Sequence, residues 1–238
     1  MDGTAIKEIK DMALEGALHS VDGKVYSPHK MYRVYSDPRP AALVVHSLTG
    51  VVDYLEANID GLSGDKLLIH VVDHSAVNVI TNVQGDSNER NVVLCAKYDD
   101  GDSFPFGRWL DQEDFIIRAR SRFETTDDLN FILHHTAKID TESAVVSQDD
   151  GVTQKIQVKR GVSGALTDSK SLKPIVTLKP HRTFPEVEQP ESEFLFRMRN
   201  DGGVVECALF EADNSAWKNS AREKIAGYLQ KTGVAIIA

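Results

Sequence analysis

The chain has 238 residues, 41% of them hydrophobic and 26% charged, with a formal net charge of −9. That length suits one large domain or two small ones with a sizeable core, and the negative charge opposes a general affinity for nucleic-acid phosphates. No run comes near the roughly 18 apolar residues of a membrane span, and the first residues mix acids and lysines with apolar positions, so neither a secretory signal nor a membrane partner is expected.

A first helix is predicted from a cap at Thr4 to about Leu18, with Ile6, Ile9, Ala13, Leu14 and Ala17 on one side. Asp22-Gly23 and Pro28 punctuate the next stretch, and Met31–Tyr35 is a short strand. After Ser36-Asp37-Pro38-Arg39-Pro40 the run Ala41–Val45 reads as a buried strand leading into a helix. Ser47 caps that helix, Leu48, Val51, Val52, Leu55 and Ile59 recur at helical spacing, and Gly61 stops it. Lys66–Asp73, Ala76–Val83 and Asn91–Tyr98 are β-rich runs whose short connections favour antiparallel pairing.

Phe104, Phe106 and Trp109 surround Pro105 and Gly107. Such a cluster plugs a core at a helix start, with a stacking platform for a base as the alternative. Asp111 opens a helix with Phe115, Ile116, Ala119 and Phe123 inward. Thr125 caps the next, where Asp127 and Asp128 favour the positive helix end. From Ser143 the pattern is nearly all β: Ala144–Ser147 and Thr153–Lys159 flank Asp149-Asp150-Gly151, Pro174–Leu178 is a strand, and Phe194–Arg199 and Val204–Phe210 flank Asn200-Asp201-Gly202-Gly203, the strongest hairpin turn. Asp213 caps a last helix that Gly233 ends. The fold class is α+β, mostly antiparallel sheet, with helices at the N-terminus, centre and C-terminus. Residues 1–140 form an α+β portion and 141–238 a β-rich portion, within one continuous domain; Phe184–Pro190 is the best linker candidate, but hairpin strands on both sides argue for one continuous β layer.

Three groups of residues bear on function. Lys155, Lys159, Arg160, Lys173, Lys179 and Arg182 fall in a stretch, Gly151–Pro185, whose acid count is a single Asp168. They form a patch for a polyanion or for an acidic face of a second copy, unless they are simply solvated strand faces. The apolar tail Val234, Ile236 and Ile237 reads as a closing strand, on its own sheet or a neighbour's, and so as a self-association element. His70 and His74 are the densest metal-ligand candidates, but a strand ending in a polar turn explains them, and no metal or cofactor is expected. His134 and His135 suit the negative end of a helix, and His46 beside Ser47 occupies a capping corner. Gly61–Lys66 lacks phosphate-loop spacing, and Gly161-Val162-Ser163-Gly164 is not a nucleophile elbow. Cys95 and Cys207 sit in apolar strand runs and read as buried free thiols. No catalytic constellation emerges.

The order of elements resembles the YfdQ-like family of phage and prophage proteins in three stretches: ALVVHSLTGVVDYLEANID, FGRWLDQEDFIIRARSRFETTDDLNFIL and EFLFRMRNDGGVVECALFEAD, together spanning roughly residues 41–230. The resemblance implies a phage-encoded protein working in the bacterial host cytoplasm, an accessory or regulatory protein rather than a tail component. It supplies no catalytic residues. The expectation is a non-enzymatic, self-associating homo-oligomer that acts by binding. The alternatives are a nucleic-acid-binding accessory protein of phage replication or recombination, and a nucleotide-binding or metal-dependent hydrolytic protein using His70, His74, His134 or His135.

Overall fold

The computed structural model describes residues 2–15, 19–21, 24–26, 40–84, 88–99, 101–137, 144–149, 154–160, 165–171, 173 and 175–238. The chain divides into two compact units, Met1–Pro40 and Ala41–Ala238. In the first, helix α1 (Gly3–Glu15) precedes a hairpin of β1 (His19–Val21) and β2 (Lys24–Tyr26). The helix begins ahead of Thr4, with the Asp2 carbonyl accepting from Ala5 N, so Thr4 is not its cap. The Met31–Tyr35 strand and the Asp22-Gly23 turn lie outside the described residues.

The second unit continues with β3 (Leu43–Val45), α2 (Leu48–Ala57), β4 (Leu67–Val71), β5 (Ala76–Thr81), β6 (Val92–Lys97) and β7 (Leu110–Asp111). Then come α3 (Gln112–Arg122), α4 (Asp127–Ala137), β8 (Ala144–Asp149), β9 (Gln154–Arg160), β10 (Ala165–Ser171) and β11 (Ile175–Leu178). The chain closes with β12 (Ser192–Asp201), β13 (Val204–Glu211), α5 (Trp217–Leu229) and β14 (Ala235–Ile237). The class is α+β with mostly antiparallel pairing, as the pattern of runs and short turns predicts.

One sheet has the order β14-β4-β5-β6-β3, antiparallel in the middle and parallel at both edges. Its register lines up Ile236, Ile69, Val79 and Leu94 on one face, where the last three are buried. Leu48, Val51, Val52, Ile225 and Leu229, from α2 and α5, cover that face. The opposite row, Ile237–His70–Asn78–Cys95–Val44, crosses all five strands and is partly or largely exposed. A second sheet, β11-β12-β13-β7, buries alternate residues Phe194, Phe196 and Met198 of β12 against Phe115, Ala119, Ile132 and Leu133 of α3 and α4. The β12–β13 hairpin turns through Gly202 and Gly203, at φ +61° and +94°, a region closed to most side chains. Strands β8, β9 and β10 form a separate antiparallel sheet, β10 having no counterpart in the sequence reading.

Three local expectations need correction, and the one linker candidate is ruled out. Helix α2 ends at Asn58, whose left-handed backbone (φ 44°) takes the part expected of Gly61. Thr126, not Thr125, caps α4, its hydroxyl accepting from Leu129 N at 3.1 Å. Asp213 accepts from Ser215 N and shapes the turn before α5, but the cap position, Ala216, has no side-chain bond. The Phe184–Pro190 stretch is no linker, because Phe184 and Val187 are buried in the core beneath the five-stranded sheet.

Candidate functional site

Where α3 ends, the backbone leaves the helix and pairs with the exit from β11. His181 N donates to Arg122 O and Glu124 N to Lys179 O, both at 2.9 Å, around the Phe123↔Pro180 bridge. This brings Arg122 and His181 side by side. The next residues, 182–189, fold around Gln189, which is only 2% exposed. Its carbonyl oxygen accepts from Arg182 N (2.9 Å) and Thr183 N (3.2 Å), while its amide nitrogen donates to the carbonyls of Thr183, Phe184 and Val187. A buried polar group must be fully bonded, and Gln189 meets that demand by organising the loop that presents Arg182.

Arg182 reaches inward. Its guanidinium carbon lies 3.8 Å from the Trp217 ring centroid and 5.5 and 5.6 Å from those of Phe106 and Phe194. Its Nη1 and Nη2 donate to Glu211 and Ser192. Burial pulls its pKa down to about 10, against the charges of Glu211 and Asp213, so it is a cation at neutral pH. The His74 ring meets Trp217 edge-on at 4.7 Å, and Thr183 Oγ1 donates to His74 O at 2.5 Å, fixing the β4–β5 turn against the same tryptophan.

These residues line a pocket of about 240 Å³, at the junction of the two cores, with Phe104, Phe106 and Pro180 as its apolar walls and Arg122, His181, Lys218 and Ser103 on its polar side. Arg122, Arg182 and Lys218 are opposed by one lining acid, Glu211, which is already paired with Arg182. In a chain of net charge −9 this is a local concentration of the opposite sign. A larger cavity, about 310 Å³, lies beside Tyr54, Glu56 and Asp60. There the Tyr54 hydroxyl already donates to Asp60 at 2.7 Å, and burial together with that bond pushes its pKa up to about 12.

The pocket collects none of the sequence-predicted sets whole. Of the basic patch, Arg182 lines it. Lys179 pairs with Glu188 (2.6 Å) and Glu191 (3.6 Å), and Lys173 with Asp128 (2.8 Å). The backbones of Lys155, Lys159 and Arg160 run along β9, and their side chains lie outside the described residues. His74 faces Trp217 in the pocket wall, whereas His70 belongs to the exposed row of β4; among the described residues no three His, Cys, Asp or Glu side chains gather as a metal site would require. His134 and His135 occupy the last turn of α4, with the His135 ring 4.3 Å from Phe131. His46 Nδ1 lies 3.1 Å from Lys97 O, and Ser47 caps α2 by accepting from Gly50 N. Phe104 and Phe106 plug the helical core, while Trp109 sits outside it under Arg199 at 4.4 Å.

Cys207 is buried, and burial pushes its thiol up to about 12, which removes it as a nucleophile; Cys95 is only half-buried. In the tail, Val234 and Ile236 pack into the chain's own core as β14 pairs with β4, which leaves Ile237, 54% exposed, as the outward residue. Gln189 and Trp217 are site residues that the sequence does not reveal. Nothing in the local pattern around Gln189 marks it, and Trp217 reads simply as the first core position of a helix.

No family model, curated protein or solved structure matches the chain.

Proposed function

We propose that this protein acts by binding rather than by making or breaking bonds, and that its ligand is a small organic anion held in the pocket between the two cores. The observation that carries the reading is the convergence of Arg122, Arg182 and Lys218 on a cavity walled by Phe104, Phe106 and Trp217. Cations around a ring-lined cavity favour a charged group attached to an apolar body. Calorimetric titration of the full chain with phenyl phosphate and with benzoate tests this. One of them should bind at a single site, and R122Q/K218Q should weaken that binding about tenfold or more. Failure of both probes to bind the wild type contradicts the reading.

Self-association belongs to the same proposal, in the role of a phage accessory protein of the bacterial cytoplasm that the sequence resemblance implies. It is supported by the exposed apolar residues Ile237 and Val44 on the two edge strands of the five-stranded sheet, since an unpaired strand edge is a template for pairing with another chain. The nucleic-acid alternative has less behind it, because Lys173, Lys179 and Arg182 already have acidic partners.

A further inference from the structure

We propose that the pocket seats an oxyanion, the carboxylate or phosphate of a ring-bearing organic molecule, on two neighbouring N–H donors, Nε of Arg182 and Nε1 of Trp217. This rests on the reading of the pocket as an anion site and names the chemistry of its ligand. Among the described residues four buried side-chain polar atoms lack a hydrogen-bond partner, and these are two of them, both on side chains that line this one pocket. The Arg182 side chain is 9% exposed and Trp217 6%, so bulk solvent does not reach them as it would at a surface. A buried donor left without an acceptor costs about 1–3 kcal/mol, and structures keep few of them without a reason.

The two donors belong to side chains stacked on one another, and the proposed seat gives both to one acceptor group. The guanidinium is stacked 3.8 Å from the indole centroid, and its Nη atoms are committed to Glu211 and Ser192, which fixes its plane and leaves Nε. A carboxylate or phosphate has at least two oxygens and accepts charge-assisted bonds, whereas a halide offers one centre and no direction. Phe104, Phe106 and Pro180 supply a wall for the apolar body of the same molecule. Both nitrogens are shut off from solvent, so a wall element has to move for a ligand to reach them. Lys218 is exposed, forms no ion pair among the described residues, and holds its ammonium 5.7 Å from the Trp217 ring centroid. Its long side chain can swing out to admit the ligand and then close on it as a counter-charge.

The chain has two tryptophans, so the nitrogen–proton correlation spectrum of the labelled protein contains two indole signals, and W217F assigns them. With phenyl phosphate or benzoate as the probe, the Trp217 signal should move and saturate while that of Trp109 stays in place. Inorganic phosphate should bind more weakly than phenyl phosphate, and the better of the two ring-bearing probes identifies the headgroup. W217F keeps an aromatic wall and removes one donor, and should weaken binding about tenfold. If calorimetry detects binding that K218Q weakens, yet the Trp217 signal stays still and W217F binds like the wild type, the two-donor seat is overturned and the anion pocket stands. If no probe binds the wild type, both are overturned. Equal, unsaturating movement of both indole signals also overturns the seat. Should W217F fail to fold, the wild-type signals decide the question.

Discussion

Gln189 illustrates how one side chain sets the position of another. It bonds two N–H groups and three carbonyls of residues 182–187, and no other side chain among the described residues holds this loop so completely. Gln189→Leu keeps the volume and leaves Arg182 N, Thr183 N and the carbonyls of Thr183 and Val187 without their bonds to this side chain, while Phe184 O still accepts from Val187 N. A loss of about 3 kcal/mol is expected, given about 1–3 kcal/mol for each buried group left unpaired. Denaturant unfolding measures it; a change below about 0.5 kcal/mol, the range of ordinary surface substitutions, refutes the role. Residue chemistry of this kind is hardly legible in the sequence. The capping roles of Ser47 and Asp111 can be read because a cap acts within three residues of itself. The stacking of Arg182 on Trp217 spans 35 positions, and local pattern carries no signal for it. Arg182 stands out in the sequence for its charge alone, as part of a basic stretch whose members separate in space.

Helix α4 is tied to β11 through Asp128. Burial raises that carboxyl, but hydrogen bonds from Lys173 Nζ and Thr177 N, both 2.8 Å, outweigh it and hold the pKa below the ordinary aspartate value. Lys173 is 58% exposed and its contribution is screened, so most of the benefit comes from the peptide N–H. Because the folded value is depressed, the stabilisation is present at neutral pH and is lost as pH falls through it. Asp128→Asn should therefore unfold about 1.5 kcal/mol more easily at pH 7, the scale of a hydrogen bond to a charged group, with the gap to wild type closing under acid. Thermal melts of both proteins at pH 7 and in the acid range check this, and a gap independent of pH contradicts it.

At this scale the sequence is most readable. The α2 stripe, the three antiparallel strands and the β12–β13 hairpin follow from period and turn residues. The Phe184–Pro190 stretch misleads because proline density imitates a linker, whereas the two apolar residues that matter, Phe184 and Val187, are too few to form a period.

Across the whole of Ala41–Ala238 the two sheets build separate cores, and the pocket forms where their loops meet. Which loops meet is a property of long-range pairing, beyond the reach of local pattern. The parallel docking of β14 on β4 is of the same kind: the apolar tail predicts a closing strand but does not name its partner.

The docking also dictates how self-association is tested. Deleting the tail would strip Val234 and Ile236 from the core and confound folding with assembly. Ile237→Asp changes only the exposed edge. Light scattering should give the wild type a discrete multiple of its 26.3 kDa chain mass, and the variant a lower mass with an unchanged melting temperature. A wild-type monomer contradicts the self-association, and an unchanged assembly in the variant contradicts the use of this edge.

The central claim, that the junction of the two cores holds a small organic anion, is met most directly by calorimetry of the full chain at low salt with phenyl phosphate and benzoate. The account predicts saturable one-site binding of at least one, weakened by added salt and about tenfold or more by R122Q/K218Q. Absence of binding by both, or binding unchanged in the double variant, contradicts it.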